Sequence, residues 1–424
     1  MGQGVKTKNL KQPSRRHATV LRQLVELIPS HLVPKLARVH GVDARARTFS
    51  PWSHVVTLLY AQLAHALSLN DVCDALRLWA TPLRALRGAT PPSRNNLSHA
   101  NKTRDAALAE AVFWQVLGHL QNTFPSFSRG PTKGLAWRFR RTIHVVDATV
   151  IQLVASCLDW AKHRRRKAAA KCHLRLSLRS LLPGFVVIDT AREHDSRRAR
   201  QLCAGLQAGE IVLFDKGYYE LAHFQELAQR GIFFVTRAKD NLACRVKKRL
   251  PRGHDPRVLK DELIVLKGHY ARQDYPGALR RVTARVELDG EERVMVFLTN
   301  HTEWSGGSVA DLYRCRWQIE VFFKQIKQTL QLADFLGHNA NAVKWQVWMA
   351  LLVYVLLRFQ AWCSGWAHSF SRLLTLLRAA LWLPCNVGEL LKRYGTAGGR
   401  GGTLMWPRQS ALPGFSAYLM GQHP

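Results

Sequence analysis

The hydrophobic period of this chain changes along its length, and that change limits the folds available to it. Residues 18–130 carry apolar side chains at helical spacing. From 131 onward, short β-branched apolar runs alternate with helical segments, which is typical of an α/β layer fold. Between 238 and 310 apolar and polar residues alternate, and Asp289-Gly290 marks a hairpin. We therefore predict an antiparallel β insertion there, followed by a return to helix.

The charge of the chain indicates a polyanionic partner. Sixty-two Lys and Arg residues face 29 Asp and Glu residues, which gives a formal net charge of +33 and a pI of about 10.6. Nucleic acid is the default partner because each neutralised phosphate releases counterions, and an anionic membrane surface is the alternative. A hydrophobic content of 47% excludes a disordered basic protein.

The sequence pattern predicts no secretory signal, no membrane span, and no zinc site or disulfide framework. Residues 1–17 are basic without an apolar core, so no secretory signal is predicted there. The longest apolar run, 347–357, is too short to span a bilayer and predicts a buried core helix rather than a membrane segment. The eight cysteines are scattered without a Cys-x-x-Cys pair, which favours reduced thiols in a cytoplasmic protein.

The N-terminal region contains a polar helix that suits DNA reading. Ser50-Pro51 predicts the start of one helix, and Ser93 is a favourable N-cap for another. The second helix is basic and polar rather than amphipathic. Its candidate base or phosphate contacts are Arg94, Asn95, Ser98 and Lys102. A solvated surface helix explains the same stretch.

Residues 311–330 predict one amphipathic helix with a charged face. The members of that face fall within about 60° of each other at roughly 100° per residue: Tyr313, Arg316, Glu320 and Lys327. An adjacent apolar stripe predicts docking on a core: Ile319, Phe322, Phe323, Ile326 and Leu330. A carboxylate flanked by an aromatic ring and cations suits a phosphate-handling site. Ordinary surface pairing of Glu320 with Lys324 and Lys327 is the alternative.

Two aspartates follow buried apolar runs. Asp147 ends the run that begins at Ile143, and Asp215 ends the run that begins at Ile211. Residues at strand ends line the functional crevice of an α/β sheet. With Glu320, these aspartates would form a hard-oxygen site for two Mg²⁺ or Mn²⁺ ions. A turn or cap role for each aspartate is the alternative.

These motifs resemble those of a known family. The spacing Tyr-x2-Arg-x3-Glu-x6-Lys from Tyr313 to Lys327, and the element Asp215-Lys-Gly-Tyr218, are similar to the signatures of DDE transposases of the insertion-sequence-4 family. The run Val145–Ile151 resembles the first aspartate motif, with Ala148 where Ser commonly follows the aspartate. The resemblance extends over about residues 20 to 335.

The resemblance implies a ribonuclease-H-like core interrupted by an antiparallel β insertion. Asp147, Asp215 and Glu320 would be catalytic and would hold two Mg²⁺ ions, with Mn²⁺ as a substitute. Tyr313, Arg316 and Lys327 would contact the DNA near the cleaved phosphate. Apart from the resemblance, Arg237 and Lys239 directly follow a predicted strand and are candidate DNA contacts at the mouth of the site, beside Arg94 and Lys102 of the polar helix. Trp304 and Phe297 are the candidates for an aromatic that holds an unstacked base.

The predicted organisation follows from period and resemblance together. It comprises a flexible basic tail (1–17), an all-helical DNA-binding domain (18–130), the first part of the core (131–237), the β insertion (238–310), the catalytic Glu helix (311–335) and a helical C-terminal region (336–424).

The function implied is cut-and-paste DNA transposition. The protein would bind double-stranded DNA at terminal inverted repeats, cleave it with Mg²⁺, and transfer the strand to target DNA. It would act as a homodimer in a synaptic complex, in the bacterial cytoplasm at the nucleoid, without a membrane. The alternatives are a catalytically inactive relative that only binds the repeats, and a two-metal nuclease without strand transfer.

Overall fold

The computed structural model describes residues 18–42, 48–129, 135–153, 162–164, 167–190, 195–288, 291–329, 337 and 339–394. The predicted basic tail (1–17) and Leu330 of the predicted apolar stripe lie outside the described residues.

Strands occupy the middle of the chain. Their bounds are β1 Ile143–Leu153, β2 Lys162–Arg164, β3 Lys167–Ser177, β4 Pro183–Thr190, β5 Ile211–Phe214, β6 Phe233–Arg237, β7 Cys244–Arg249, β8 Val258–Leu266, β9 Leu279–Leu288 and β10 Glu291–Thr299.

Helices precede, interrupt and follow the strands. Their bounds are α1 Val20–Val25, α2 Leu32–Val39, α3 Pro51–Ala64, α4 Leu69–Leu78, α5 Ala80–Arg84, α6 Arg94–Thr103, α7 Ala107–Thr123, α8 Pro125–Arg129, α9 Leu135–Arg138, α10 Asp195–Leu202, α11 Leu221–Gln229, α12 His269–Asp274, α13 Gly306–Arg314, α14 Trp317–Lys324, α15 Ala340–Ser364, α16 Phe370–Ala379 and α17 Val387–Arg393. A 3₁₀ turn spans Lys216–Tyr218 and a π-helical segment spans Gln325–Thr329.

All ten strands belong to one mixed sheet. Its order is β2-β3-β1-β5-β6-β10-β9-β8-β7, and β4 pairs with β3. Strands β1, β5 and β6 run parallel, whereas β3 is antiparallel to β1 and β4 is antiparallel to β3. The predicted mixed α/β class is therefore confirmed.

The predicted antiparallel strands of 238–310 extend the same sheet. Strand β10 pairs antiparallel with β6, with Phe297 opposite Arg237. Strands β9 and β10 form the predicted hairpin, with Leu288 opposite Glu291. The insertion is thus hydrogen-bonded edge to edge with the strands that precede it in sequence, an arrangement that the sequence period did not reveal.

The N-terminal and C-terminal helices pack into one body around α15. Its buried side chains lie on all sides of the helix, because α3, α6 and α7 cover it. The Gln23 side chain of α1 donates to the Cys385 carbonyl oxygen over 2.6 Å and accepts from the Val387 N–H over 3.1 Å. The two regions predicted as separate in sequence therefore share one apolar core.

Within the described part of the chain, α15 is long and apolar enough, by length and composition, to cross a membrane. It contains the predicted core run 347–357, and 67% of its most apolar window is buried inside the protein. The predicted core helix is confirmed.

Each face of the sheet packs against a different hydrophobic core, and these cores show on which face each aspartate lies. Ile143 and Val145 of β1 point to the face covered by α13–α15, whereas Val146 points to the face covered by α10 and α11. Side chains alternate along a strand. Asp147 therefore shares the face of Val145, and Asp215 likewise shares the face of Leu213 in β5.

The prediction of one continuous helix over 311–330 is wrong. The α-helical hydrogen bonding is interrupted between α13 and α14. There the Arg316 N–H donates to Tyr313 O and the Ile319 N–H donates to Arg316 O, three residues back in each case, as in a 3₁₀ turn. A π-helical segment then follows α14. The predicted apolar stripe is nevertheless buried at its four described positions: Ile319, Phe322, Phe323 and Ile326.

We predict that Gly307→Ala destabilises the protein by about 1–3 kcal/mol. A Cβ on Gly307 would lie 2.9 Å from Asp255 Cγ, and Asp255 is held by Arg257 through hydrogen bonds of 2.7 and 3.0 Å. Urea unfolding followed by circular dichroism measures the change.

Gly118→Ala is the matched control. Gly118 lies in α7 with nothing within 4 Å of an added Cβ, so this change should stabilise the helix by about 0.5–1 kcal/mol. A Gly307→Ala variant as stable as the wild type would show that the Asp255–Arg257 pair does not pack against α13.

Candidate active site

The register of two parallel strands brings Asp147 and Asp215 side by side. The β1–β5 pairing ends with Val146 opposite Phe214, and each aspartate is the next residue on its strand. Asp215 leaves β5 as predicted. The prediction that Asp147 ends its strand is wrong, since β1 continues to Leu153. Asp147 nevertheless lies at the end of the β1–β5 pairing, next to Asp215.

The cap alternative for Asp215 does not hold. Asp215 occupies the N-cap position of the 3₁₀ turn, but its side chain makes no capping hydrogen bond. Instead the Tyr313 hydroxyl donates to Asp215 Oδ1 over 3.5 Å. Burial raises the pKa of Tyr313 to about 12, and the Asp215 charge adds to that rise. The phenol therefore stays protonated as a hydrogen-bond donor at neutral pH.

Asp147 is a carboxyl group in an unfavourable electrostatic environment. Its side chain is 17% exposed, and burial raises its pKa to about 7. The Ala148 N–H, which donates to Oδ1 over 2.8 Å, and the Arg316 charge act in the opposite direction. The negative charges of Asp215 and Glu320 add to the rise. The site thus concentrates negative charge that a cation would neutralise.

Arg316 bridges the first and third predicted carboxylates. Its Nη1 donates to Asp147 Oδ2 over 3.2 Å, and its Nη2 donates to Glu320 Oε1 over 2.5 Å. Its guanidinium carbon lies 5.5 Å from the centre of the Tyr313 ring. Burial acts to lower the pKa of Arg316, but Tyr313 and the surrounding carboxylates raise it, so the guanidinium stays charged.

The Glu320 carboxylate is more exposed than that of Asp147. Its side chain is 36% exposed, and it lies in the first turn of α14. Among the residues that the structure describes, no three His, Cys, Asp or Glu side chains are close enough together to hold one metal ion as they stand. Arg316 lies between Asp147 and Glu320, so a shared ion requires Arg316 to move.

Lys327 lies close to β3. It lies in the π-helical segment, half-buried, and burial lowers its pKa, with an opposing contribution from Cys172. Cys172 on β3 lies two residues from Leu174, which pairs with Asp147. Lys327 therefore lies along the β1–β3 pair rather than directly beside Glu320.

Arg237 and Lys239 lie where β6 leaves the sheet. Arg237 is close enough to Tyr313 to lower the pKa of its hydroxyl. The Lys239 Nζ lies 4.7 Å from the centre of the Tyr219 ring. Arg237 is thus near Tyr313, whereas the position of both cations at the mouth of the site and their contact with DNA stay predictions.

Both aromatic residues predicted as candidates to hold an unstacked base pack against other rings of the protein. Phe297 is fully buried and packs against Tyr313, with ring centres 5.0 Å apart. Trp304 stacks on His301 with ring centres 3.7 Å apart and also contacts Phe233. Within the described ranges, we find no contact between Trp304 and the three carboxylates.

The α6 helix presents its predicted face to solvent. Ser93 caps it by accepting from the Asn96 N–H over 3.2 Å, as predicted. Leu97, Ala100 and Asn101 face inward. The predicted contact residues are all exposed: Arg94, Asn95, Ser98 and Lys102. A short helix, α5, separates α6 from α4.

The sequence analysis missed Asp311 and Trp317. Asp311 Oδ2 accepts from Arg138 over 2.8 Å, and its Oδ1 accepts from Arg257 over 2.9 Å. This buried carboxylate thereby ties α9 and the β7–β8 loop to the helix that carries Tyr313. Trp317 is 46% exposed, three residues before Glu320. A buried acid needs several cations near it, but the sequence does not show which distant arginines supply them.

Comparison with known proteins defines the family. A family model described as a transposase DDE domain matches residues 138–356, which is just over half of the chain and includes all three carboxylates. The chain belongs to this family of DDE transposases. A second model, described as a domain of unknown function, matches residues 16–86 of the N-terminal helical region.

Three bacterial relatives of this DDE transposase have transposase names. The protein y4zB of Sinorhizobium fredii is 30% identical over 64% of this chain and 72% of its own length. The protein of insertion sequence element IS5377 from Geobacillus stearothermophilus is 26% identical over 81% of this chain and 85% of its own. The transposase InsG for insertion sequence element IS4 of Escherichia coli is 29% identical over 44% of this chain and 42% of its own. The resemblance predicted from the Tyr-Arg-Glu-Lys spacing is confirmed.

We predict that Asp147→Asn makes the metal-free protein more stable, by an amount that grows with pH. The raised pKa means that the wild-type fold binds a proton that the unfolded chain releases. Wild-type stability should therefore fall from about pH 4 to about pH 7 and then level off. Asparagine does not titrate, so the variant does not lose stability in this way. Its free energy of unfolding should exceed that of the wild type by roughly 2–4 kcal/mol above pH 7 and by little at pH 4.

The measurement is urea unfolding in EDTA at a series of pH values. Asp74→Asn, at a side chain that is 74% exposed, controls for removal of one carboxylate. A stability difference between Asp147→Asn and wild type that stays constant from pH 4 to 8 would contradict the buried, charge-crowded environment of Asp147.

Proposed function

We propose that this insertion-sequence transposase cuts DNA at the ends of its element and joins the freed strand to target DNA at one carboxylate site. The supporting observation is the convergence of Asp147, Asp215 and Glu320 around Arg316 and Tyr313. Three oxygen-ligand side chains from different elements, inside a family-matched segment, fit hard divalent cations.

The donor set fits a pair of Mg²⁺ ions, for which Mn²⁺ would substitute. All three side chains offer carboxylate oxygens. Burial is the main cause of the raised pKa of Asp147, the charges of Asp215 and Glu320 add to the rise, and a bound cation would favour the ionised carboxylate. When bound, two such ions would activate an attacking oxygen and stabilise the leaving oxygen of a phosphodiester. Asp147, Asp215 and Glu320 are the residues that would hold them.

The residues around the carboxylates would then bind and orient the DNA. With cations bound at the carboxylates, the Arg316 guanidinium would be available to donate hydrogen bonds to a phosphate. The Tyr313 hydroxyl, kept protonated by its raised pKa, donates to Asp215 or to a phosphate oxygen. Lys327, Arg237 and Lys239 supply further positive charge along the approach.

The core that carries the site would be ribonuclease-H-like, as the resemblance implies. Strands β4, β3, β1, β5 and β6 would form it, in that spatial order, with β7–β10 inserted between Asp215 and Glu320. The exposed face of α6 would read the terminal inverted repeats through Arg94 and Lys102. Pairing of two element ends would require a homodimer.

Cleavage of an end-labelled duplex carrying the element's own terminal repeat tests this function. We expect Mg²⁺-dependent cutting at the repeat boundary, absent in EDTA, and a loss of about 10³-fold or more in Glu320→Gln with binding retained, because that side chain would act on the reacting phosphate. Glu303→Gln, which changes an exposed glutamate, is the matched control.

Each other outcome selects a different account. Repeat-specific binding without cutting by the wild type would favour an inactive relative. Cutting without joining of the 3′ end to a second duplex would favour a nuclease. Cutting that Glu320→Gln leaves intact would exclude this carboxylate from the reaction.

A further inference from the structure

The outer strand of the sheet, β7, carries a dense row of positive charge. Four of its six residues are basic, and a fifth cation follows in the next turn. All five side chains are exposed: Arg245, Lys247, Lys248, Arg249 and Arg252. Strand β7 pairs with β8 and lies at the end of the sheet, so its outer edge faces solvent.

A register shift spreads these cations over the edge. Val246 lies opposite Ile264 and Lys248 lies opposite Leu263, which leaves Lys247 as an extra residue on β7. A bulge of this type interrupts side-chain alternation and increases strand twist. The basic residues are consequently all exposed instead of alternating between solvent and core.

Among the residues that the structure describes, no acidic side chain forms an ion pair with the row, although Glu262 lies opposite Arg249 in the register. The two carboxylates of β8 are already paired, Asp261 with Arg280 over 2.6 Å and Glu262 with Arg281 over 2.7 Å. Among the described residues, none of the five β7-region cations has an ion-pair partner within 4.0 Å. The edge is thus an uncompensated cationic surface, which favours a polyanion.

A surface depression is lined by residues that lie close in sequence to Asp215 and to β7. It encloses about 600 Å³ and is lined by Lys216, Gly217, Lys239, Asp240 and Asn241. Lys216 follows Asp215 directly, and Asn241 is three residues before β7. Five strand-to-strand steps separate β5 from β7, or about 24 Å at ~4.8 Å per step. A duplex rising 3.4 Å per base pair covers that distance in about seven base pairs.

We propose that β7 is a DNA-backbone surface that holds the duplex beyond the phosphate positioned at the carboxylate site. The proposal rests on the proposed function and extends it to a surface outside the family's motifs. Contact is with phosphates and is independent of base sequence. The alternative is that these cations only prevent β7 from pairing with another strand, since charged side chains protect sheet edges.

Charge reversal separates the two explanations, because glutamate protects an edge as well as lysine does but repels phosphate. The variant is Lys247→Glu, Lys248→Glu and Arg249→Glu in the full chain. The control carries the same charge change on exposed residues of α16 and α17: Arg372→Glu, Lys392→Glu and Arg393→Glu. Binding to a duplex of unrelated sequence is measured by fluorescence anisotropy from 50 to 300 mM NaCl.

The β7 variant should bind about 10²-fold more weakly than the control near 0.1 M salt. Its slope of log K against log salt should be smaller by about 3, at ~0.9 per phosphate contact. Equal affinity and equal slope in the two variants would overturn the proposal. If the glutamate variant fails to fold by circular dichroism, the corresponding Gln variant gives the same comparison, with a slope again reduced by about 3.

This outcome is independent of the cleavage experiment. Sequence-independent binding needs neither the metal site nor the terminal repeat. Weaker binding by the β7 variant, together with no cleavage by the wild type, would retain the surface and reject the proposed reaction. Normal cleavage by the β7 variant, with a salt dependence of DNA binding equal to that of the wild type, would support the proposed reaction. It would contradict the proposal that β7 binds the DNA backbone.

Discussion

The arrangement of the site depends on one buried cation, Arg316. Three carboxylates cannot be brought together in a partly buried site without a compensating positive charge, because each ionised group raises the free energy of the others. The Arg316 guanidinium provides that charge to Asp147 and Glu320 at once. It also lies over the Tyr313 ring, whose hydroxyl reaches Asp215. All three carboxylates are thereby linked through two adjacent side chains.

The fold supports this arrangement from both sides. Parallel pairing of β1 with β5 fixes the two aspartates at neighbouring positions on one face of the sheet. The change from α13 to α14 turns Tyr313, Arg316 and Glu320 toward that face while the apolar residues of α14 pack into the helical body. Asp311 then ties α13 to arginines from two other segments. The site is held by elements that are distant in sequence, so its geometry depends on the whole fold.

The candidate site residues could be selected from sequence because their spacing and local context carry the signal. Apolar runs ending in aspartate predicted β1 and β5, and the spacing from Tyr313 to Glu320 predicted that Tyr313, Arg316 and Glu320 share one face. The break at Arg316 and the π-helical segment were not predictable, since the apolar period continues through both. Strand β3 was also missed: it is rich in Ala and Lys and becomes a strand by pairing with neighbours on both edges. Joining of β10 to β6 is a long-range pairing, which side-chain alternation does not specify.

Mn²⁺ binding to the DNA-free protein tests the central claim most directly, namely that these carboxylates form one cation site in which Arg316 provides the compensating charge. Isothermal titration calorimetry would compare the wild type, Asp147→Asn and Arg316→Ala. We expect Asp147→Asn to weaken Mn²⁺ binding by about 10-fold or more, and Arg316→Ala to strengthen it, because the competing guanidinium is gone. Unchanged affinity in Asp147→Asn, or weaker binding in Arg316→Ala, would contradict this account.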